Sequence, residues 1–157
     1  MNNNYILILG CLLLIMSYSD SFYHYSYDRR IMMGYLVAIL AYTFFILENY
    51  QEKKVKYKKS HMLFVVYFSI KIFMRVEFHS KHYDALGLIG NLLLVTKNKH
   101  NKKGNIILTV YYLLLSSDNI FKSELYSIAK GFGSLLVFIF HIIEMLETNS
   151  HDNNKHH

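Results

Sequence analysis

The chain has 157 residues, of which 53% are hydrophobic and 16% aromatic, and its mean hydropathy is +0.18. This composition is too apolar for a soluble domain that also carries 17 Lys and Arg residues. The formal net charge of +6 does not indicate nucleic-acid binding, because the charges lie in short loops between apolar runs and not along one face of a soluble fold. The single cysteine excludes an intrachain disulfide.

Six apolar runs occupy most of the chain, and each of them predicts a helix. In chain order they are residues 5–19, 31–47, 61–74, 85–96, 105–115 and 127–146. A helix needs about 20 residues to cross a bilayer and about 17 at the least, so the second and last runs qualify unaided and the others require flanking polar residues. We predict an all-α polytopic transmembrane helical bundle of four to six spans, within a single domain of residues 1–147. The His- and Asn-rich residues 148–157 predict a disordered tail.

Two loops are strongly basic, and their positions predict the topology. The lysines of the first loop are Lys53, Lys54, Lys56, Lys58 and Lys59, and those of the second are Lys97, Lys99, Lys102 and Lys103. Lys and Arg near the ends of membrane spans collect on the cytoplasmic side. Two apolar runs separate these loops, so an even number of crossings returns the chain to the same side. A six-span protein with both termini on the basic side satisfies this pattern, and its basic loops are expected to attract anionic lipid headgroups.

An aromatic cluster follows the first run, where the chain is expected to leave the hydrocarbon. Its members are Tyr18, Phe22, Tyr23, Tyr25 and Tyr27. Tyr side chains are enriched at membrane interfaces, so the cluster predicts an interfacial aromatic belt. The alternative is a mobile aromatic loop.

A basic stripe is predicted along the third run. At about 100° per residue, Lys71, Arg75, His79 and His82 fall on one face of a continuous helix. Facing a cavity, this stripe is a candidate site for an anionic headgroup or for the carboxylate of a partner. The alternative is that these residues end a short helix and extend to the membrane interface.

The last run contains a candidate intramembrane polar pair, His141 and Glu144, whose one-turn spacing places them on one helix face. The spacing supplies only part of a metal-ligand set. No catalytic constellation is recognisable in the sequence. We therefore predict no catalytic residue, no cofactor and no metal.

Small residues four positions apart predict close helix packing. They are Gly34 with Ala38 in the second run, and Ser127 with Gly131 and Ala129 with Gly133 in the last. Lipid tails provide no hydrophobic drive between helices, so spans associate by close backbone approach at small residues. These faces are expected to meet neighbouring helices, either of this chain or of a partner subunit.

The segments 86–95 (LGLIGNLLLV), 106–121 and 128–136 (IAKGFGSLL) carry a family resemblance. Their order resembles the four-helix DoxX-type membrane proteins and the related surfeit-locus ER cargo receptors, whose last helix has a similar Gly-Gly-Leu-Leu character. The resemblance covers residues 61–143, or begins at 31 for the cargo-receptor type, and it implies a helical membrane fold. Asn91 stands where many DoxX-type proteins carry an acidic residue, and the tail lacks the Lys-rich end that ER retrieval of a cargo receptor needs.

Three classes of function follow from these observations. The preferred one is a non-catalytic integral subunit or assembly factor of a larger membrane complex, with other membrane subunits as partners. The second is a cargo receptor or adaptor of the early secretory pathway, and the third is a small transporter or lipid-handling protein. In a eukaryote the predicted location is the membrane of the ER or the inner membrane of mitochondria.

Overall fold

The computed structural model describes residues 4–50, 59–73, 82–96 and 102–155, with the backbone alone for residues 50 and 148–155. Six helices account for nearly all of them and no strand is present among them. The helices are α1 (Asn4–His24), α2 (Arg29–Tyr50), α3 (Lys59–Phe73), α4 (Asp84–Thr96), α5 (Lys102–Asn119) and α6 (Leu125–Lys155). There is one helix for each apolar run, which confirms the all-α helical bundle.

Local sequence explains where the helices begin and continue. Asp28 caps α2, since its carboxylate accepts a hydrogen bond from the backbone N–H of Arg30 at 3.0 Å. The chain contains no proline, and no glycine follows Gly133, so nothing in the sequence breaks the end of α6. The helix accordingly continues to Lys155, and the segment predicted to be a disordered tail is helical as far as that residue.

The six helices form a closed ring. Within the described residues each helix packs against the helices that precede and follow it in the chain, and α6 packs against α1. Consecutive helices run in opposite directions; for example, the Glu48 carboxylate near the end of α2 accepts hydrogen bonds from the hydroxyl and the backbone N–H of Ser60 at the start of α3. The bundle thus has two ends. The turn end holds the α1–α2 turn (25–28) and the α5–α6 turn (120–124), and the basic end holds the helix termini that flank 51–58 and 97–101.

Aromatic side chains from several helices fill the centre of the ring. Tyr18 of α1 stacks on Tyr42 of α2 with ring centroids 5.7 Å apart, and it meets Tyr67 of α3 edge-on at 6.0 Å. The hydroxyls of Tyr42 and Tyr112, on α2 and α5, are 3.3 Å apart. These long side chains reach across the ring and connect helices whose backbones are not adjacent. The ring is therefore a packed core and not an open pore.

Tyr18 does not belong to the predicted aromatic belt. Tyr23 and Tyr27 are 78% and 76% exposed, as an interfacial residue would be. Tyr18 is instead 1% exposed and belongs to the core. Tyr18 lies on the inner face of a helix that continues to His24, five residues beyond the predicted run, so the chain has not left the bundle at this position.

The outer surface of the ring is apolar on every helix. One exposed large apolar residue from each, in order from α1 to α6, is Leu12, Leu40, Val66, Ile89, Val110 and Phe132. In the part of the chain that the structure describes, three helices are long and apolar enough to cross a membrane, over Asn4–His24, Arg29–Asn49 and Leu125–Glu147. The first of these adds to the two that the sequence predicted, because α1 extends beyond its apolar run at both ends. The chain is a helical membrane protein.

Close contacts at glycine hold the seams of the ring. A Cβ built on Gly10 of α1 would lie 3.0 Å from the carbonyl oxygen of Gly133, and one built on Gly133 would lie 2.8 Å from that of Gly10. These two glycines allow α6 to close against α1. A Cβ built on Gly131 would lie 2.6 Å from the backbone of Ile120, and one built on Gly34 would lie 3.5 Å from the Ile70 side chain of α3. The neighbours of these small residues therefore belong to this chain.

We expect the turn end and the basic end to lie on opposite sides of the membrane. Single cysteines in place of Ser26, in the α1–α2 turn, and Lys103, in the first turn of α5, test this in a Cys11→Ala background. Both positions are exposed. The three helices α2, α3 and α4 lie between them in the chain, so the two positions are at opposite ends of the bundle. A membrane-impermeant maleimide applied to sealed vesicles should label only one of the two until the vesicles are permeabilised. Labelling of both from the same side would contradict the alternating arrangement.

Candidate functional site

The turn end carries charged side chains inside the bundle, and Lys71 is one of them. Its side chain is 16% exposed, and its ammonium lies 3.1 Å from the carboxylate of Asp84, which is fully buried at the start of α4. The ammonium also lies 5.9 Å from the centre of the Tyr67 ring. A buried ion pair gains little net stability, but removal of either partner leaves the other charge uncompensated. The pair therefore ties the end of α3 to the start of α4.

The other members of the predicted basic stripe are placed differently. His82 is exposed and lies in the turn before α4, so it is not on a face of helix α3. Arg75 and His79 lie outside the described residues. Lys71 is thus the one member whose side chain the structure places within the bundle.

A second lysine, Lys130 of α6, points into the ring. Its ammonium lies 5.3 Å from the centre of the Tyr18 ring, a geometry that suits a cation–π interaction. Among the described residues this ammonium makes no salt bridge and no side-chain hydrogen bond. This ammonium has longer-range electrostatic interactions with two cations, Lys71 and Lys122, and with two carboxylates, Asp84 and Asp118. Lys130 is therefore a partly buried cation without a carboxylate in contact.

Lys130 lines a cavity of about 120 Å³ at the turn end, between α1, α2 and α6 and the α5–α6 turn. The cavity has a charged rim, consisting of the exposed residues Asp20, Lys122 and Glu124. Deeper in the cavity are Lys130, Tyr35, Asn119 and Ser127, of which the last three are buried. Polar donors and a cation at the base of a cavity favour a ligand that presents an anionic group inward. The volume has room for several water-sized groups.

Tyr83, just before α4, and Asp118 of α5 form a further polar contact at the turn end. The Tyr83 hydroxyl donates a hydrogen bond of 2.8 Å to the Asp118 carboxylate. Burial, and after it this hydrogen bond, raises the pKa of Tyr83 above its usual value. The hydroxyl therefore stays protonated at neutral pH and remains the donor. This hydrogen bond holds Asp118 in place at the turn end.

The predicted intramembrane pair, His141 and Glu144, lies away from the charged residues of the turn end. His141 is buried among aromatic rings, with its ring nearly parallel to those of Phe45 and Tyr112 at 6.2 and 5.6 Å. Glu144 is exposed. Among the described residues no group of three or more His, Cys, Asp or Glu side chains lies close enough to hold a metal ion.

One buried polar contact at the basic end has no counterpart in the sequence analysis. His61 Nδ1 and Asn91 Oδ1 are 2.8 Å apart, and the Asn91 amide donates a hydrogen bond of 2.7 Å to the carbonyl of Gly87. Through this contact Asn91 joins α4 to α3. A His at the start of one run and an Asn within another give no pairwise signal in a single sequence.

Comparison with known proteins gives no relative for this chain. No family model, no curated protein and no solved structure matches it. The resemblance to DoxX-type proteins and ER cargo receptors therefore stays a prediction, as does the organelle.

Proposed function

We propose that this membrane protein binds, without catalysis, a small ligand that presents a phosphate or carboxylate to Lys130, and that it serves as a binding protein or carrier for such a ligand. The proposal is supported chiefly by the unpaired position of the Lys130 ammonium, at the base of a cavity among buried polar side chains. A lysine near the end of a span usually extends its charge to the membrane interface. Lys130 instead lies over Tyr18, inside the ring.

Energetics favour a ligand over a purely structural role for this lysine. A charge at the bilayer centre costs about 2.5–3.5 kcal/mol on insertion scales, and less near an interface. A cation–π contact returns about 0.5–2 kcal/mol. Taken together, these two contributions mean that the charged Lys130 side chain has no net effect on the stability of the empty protein or slightly lowers it. An anionic group in the cavity would offset the remaining cost.

The other two classes have weaker support. The glycines of the small-residue faces that suggested a partner subunit, Gly34, Gly131 and Gly133, have their close neighbours within this chain, so they lend no weight to that hypothesis. The cargo-receptor hypothesis depends on the resemblance alone. Both stay predictions.

Thermal unfolding of Lys130→Met tests the proposal. We expect the empty variant to be more stable than the parent protein by on the order of 1 kcal/mol, because it loses a desolvated charge. The single cysteine, Cys11, is fully buried, so a thiol-reactive dye reports unfolding of the detergent-solubilised protein. Phosphate, phosphoethanolamine and acetate, added at constant ionic strength, serve as probes. A probe at ten times its Kd should stabilise the parent protein by about 1.4 kcal/mol and leave the variant unshifted.

Lys122→Met is the matched control, because Lys122 lies on the exposed rim of the same cavity. This variant should keep the response to the probe. Sucrose, which carries no charge, controls for general stabilisation by an excluded cosolute, and this stabilises all variants equally. A Lys130→Met variant that is less stable than the parent, or equal responses of both variants to every probe, would refute the proposed site.

A further inference from the structure

A second cavity lies beside the first, in a cleft between α2 and α3 at the turn end. It has a volume of about 30 Å³ and is lined by Arg30, Ile31, Gly34, Tyr35, Tyr67, Ile70 and Lys71. Tyr35 lines both cavities and separates this cleft from the Lys130 cavity. The enclosed volume holds about two water-sized groups, so only part of a larger ligand can enter it.

The polar groups of the cleft have unused capacity for hydrogen bonds. Tyr67 is 3% exposed, and among the described residues its hydroxyl has no partner at hydrogen-bonding distance and angle, although the Tyr18 hydroxyl lies close by. The exposed guanidinium of Arg30 makes no ion pair among them. Lys71 is paired with Asp84, and its ammonium has three donors, of which that carboxylate takes one at 3.1 Å. A buried polar group without a partner is costly, so the Tyr67 hydroxyl points to a missing acceptor or donor.

The remainder of the cleft is apolar. Ile31 and Ile70 form its walls, and Gly34 leaves space, because a Cβ at that position would meet only Ile70, at 3.5 Å. The two helices that form it, α2 and α3, have apolar outer faces. A ligand of this cleft therefore has an anionic polar part at Arg30 and Lys71 and an apolar part along the helices.

We propose that the α2–α3 cleft binds the phosphate group of an anionic membrane lipid. The Arg30 guanidinium and the Lys71 ammonium contact phosphate oxygens, and the Tyr67 hydroxyl donates a hydrogen bond to the oxygen that enters the enclosed part of the cleft. Arg suits this role because its planar fork of donors matches phosphate geometry. The site does not depend on the proposed function of Lys130, which lies in the other cavity.

Native mass spectrometry of the full chain in mild detergent tests this site. The delipidated protein is titrated with phosphatidylglycerol, with phosphatidylcholine and with inorganic phosphate. We expect one phosphatidylglycerol to bind with at least fivefold preference over phosphatidylcholine. In Arg30→Gln its affinity should fall roughly tenfold, as expected for loss of a charge-assisted hydrogen bond.

Arg29→Gln is the matched control, since Arg29 is the exposed neighbour of Arg30 in the first turn of α2 and does not line the cleft. This variant should bind phosphatidylglycerol within about twofold of the parent protein. Equal losses in both variants would show general attraction of basic residues to anionic lipid and would overturn the site. Displacement of the lipid by millimolar phosphate would identify a site for the free anion and would overturn the assignment to a lipid.

Tyr67→Phe provides a readout that a structural role would not give. Removal of an unpartnered hydroxyl should leave the delipidated protein as stable as the parent or more stable, while lipid affinity falls several-fold. Lower stability of the delipidated variant with unchanged lipid affinity would mean that the hydroxyl is bonded within the protein, and the proposal would fail. Lys130→Met should leave lipid binding in this cleft unchanged, which separates this test from that of the proposed function.

Discussion

Asp84→Asn is expected to destabilise the protein by about 3 kcal/mol. The substitution keeps the shape of the side chain and its position at the start of α4 but removes the negative charge beside Lys71. Loss of one partner of a buried ion pair costs about 3–5 kcal/mol, because the other charge stays behind without compensation. Lys71 is 16% exposed and can recruit some water, so the lower end of that range applies. Thermal unfolding followed through the buried thiol of Cys11 measures the loss.

The double variant Lys71→Met with Asp84→Asn separates the charge from the fold. It removes both charges, and replacement of a buried ion pair by uncharged groups is often neutral. We therefore expect the double variant to recover at least 2 of the roughly 3 kcal/mol lost in Asp84→Asn. Additive losses in the two single variants, without recovery in the double, would mean that the two residues act separately. A stability of Asp84→Asn close to that of the parent would show that the pair is not formed in the membrane protein.

This pair also shows where sequence reasoning stops. Lys71 stands out in the sequence because a charge inside an apolar run is costly and needs a reason. Asp84 does not stand out, since it precedes its run and resembles an ordinary polar residue at a helix start. The two are thirteen residues apart, on helices whose packing no local pattern specifies. The stripe prediction assumed one continuous helix from Lys71 to His82, whereas the structure places His82 in a turn.

For the fold as well, local sequence patterns predict one part, and the other part depends on contacts between residues that are distant in the sequence. Hydropathy determined the number and order of the helices, because each apolar run is long enough to form a helix and the loops between them are polar. Closure of the ring was not predictable, because it depends on the mutual approach of Gly10 and Gly133 across most of the chain length. Gly133 was recognised as a packing residue and Gly10 was not, since Gly10 lacks a small residue four positions away. The aromatic centre was missed because Tyr18 resembles an interfacial tyrosine in the sequence.

The second large effect is expected at Gly131, where substitution by alanine should destabilise the protein by about 2–4 kcal/mol. The new Cβ would lie 2.6 Å from the backbone N and Cα of Ile120, and backbone atoms cannot move aside as the end of a side chain can. A shift of α6 would also disturb the hydrogen bond of 2.9 Å from the Ser116 hydroxyl to the Gly131 carbonyl. Overpacking of this kind costs about 1–3 kcal/mol, and the loss of a hydrogen bond adds about 0.5–1.5 kcal/mol.

Gly34→Ala is the matched control, and it is expected to have the opposite sign. Gly34 also lies within a long apolar helix and was predicted to pack against a neighbour, but its new Cβ would meet Ile70 at 3.5 Å, an ordinary van der Waals distance. Alanine is favoured over glycine inside a helix by about 0.8–1.0 kcal/mol, so this variant should be equally stable or more stable. The sequence motif is similar at the two positions, but the new Cβ meets the backbone of the α5–α6 turn at 2.6 Å in one and a side chain at 3.5 Å in the other. Equal melting temperatures for the two variants would contradict the close contact between α6 and the α5–α6 turn. Opposite shifts would show that this contact, and not the small-residue motif itself, makes glycine necessary at position 131.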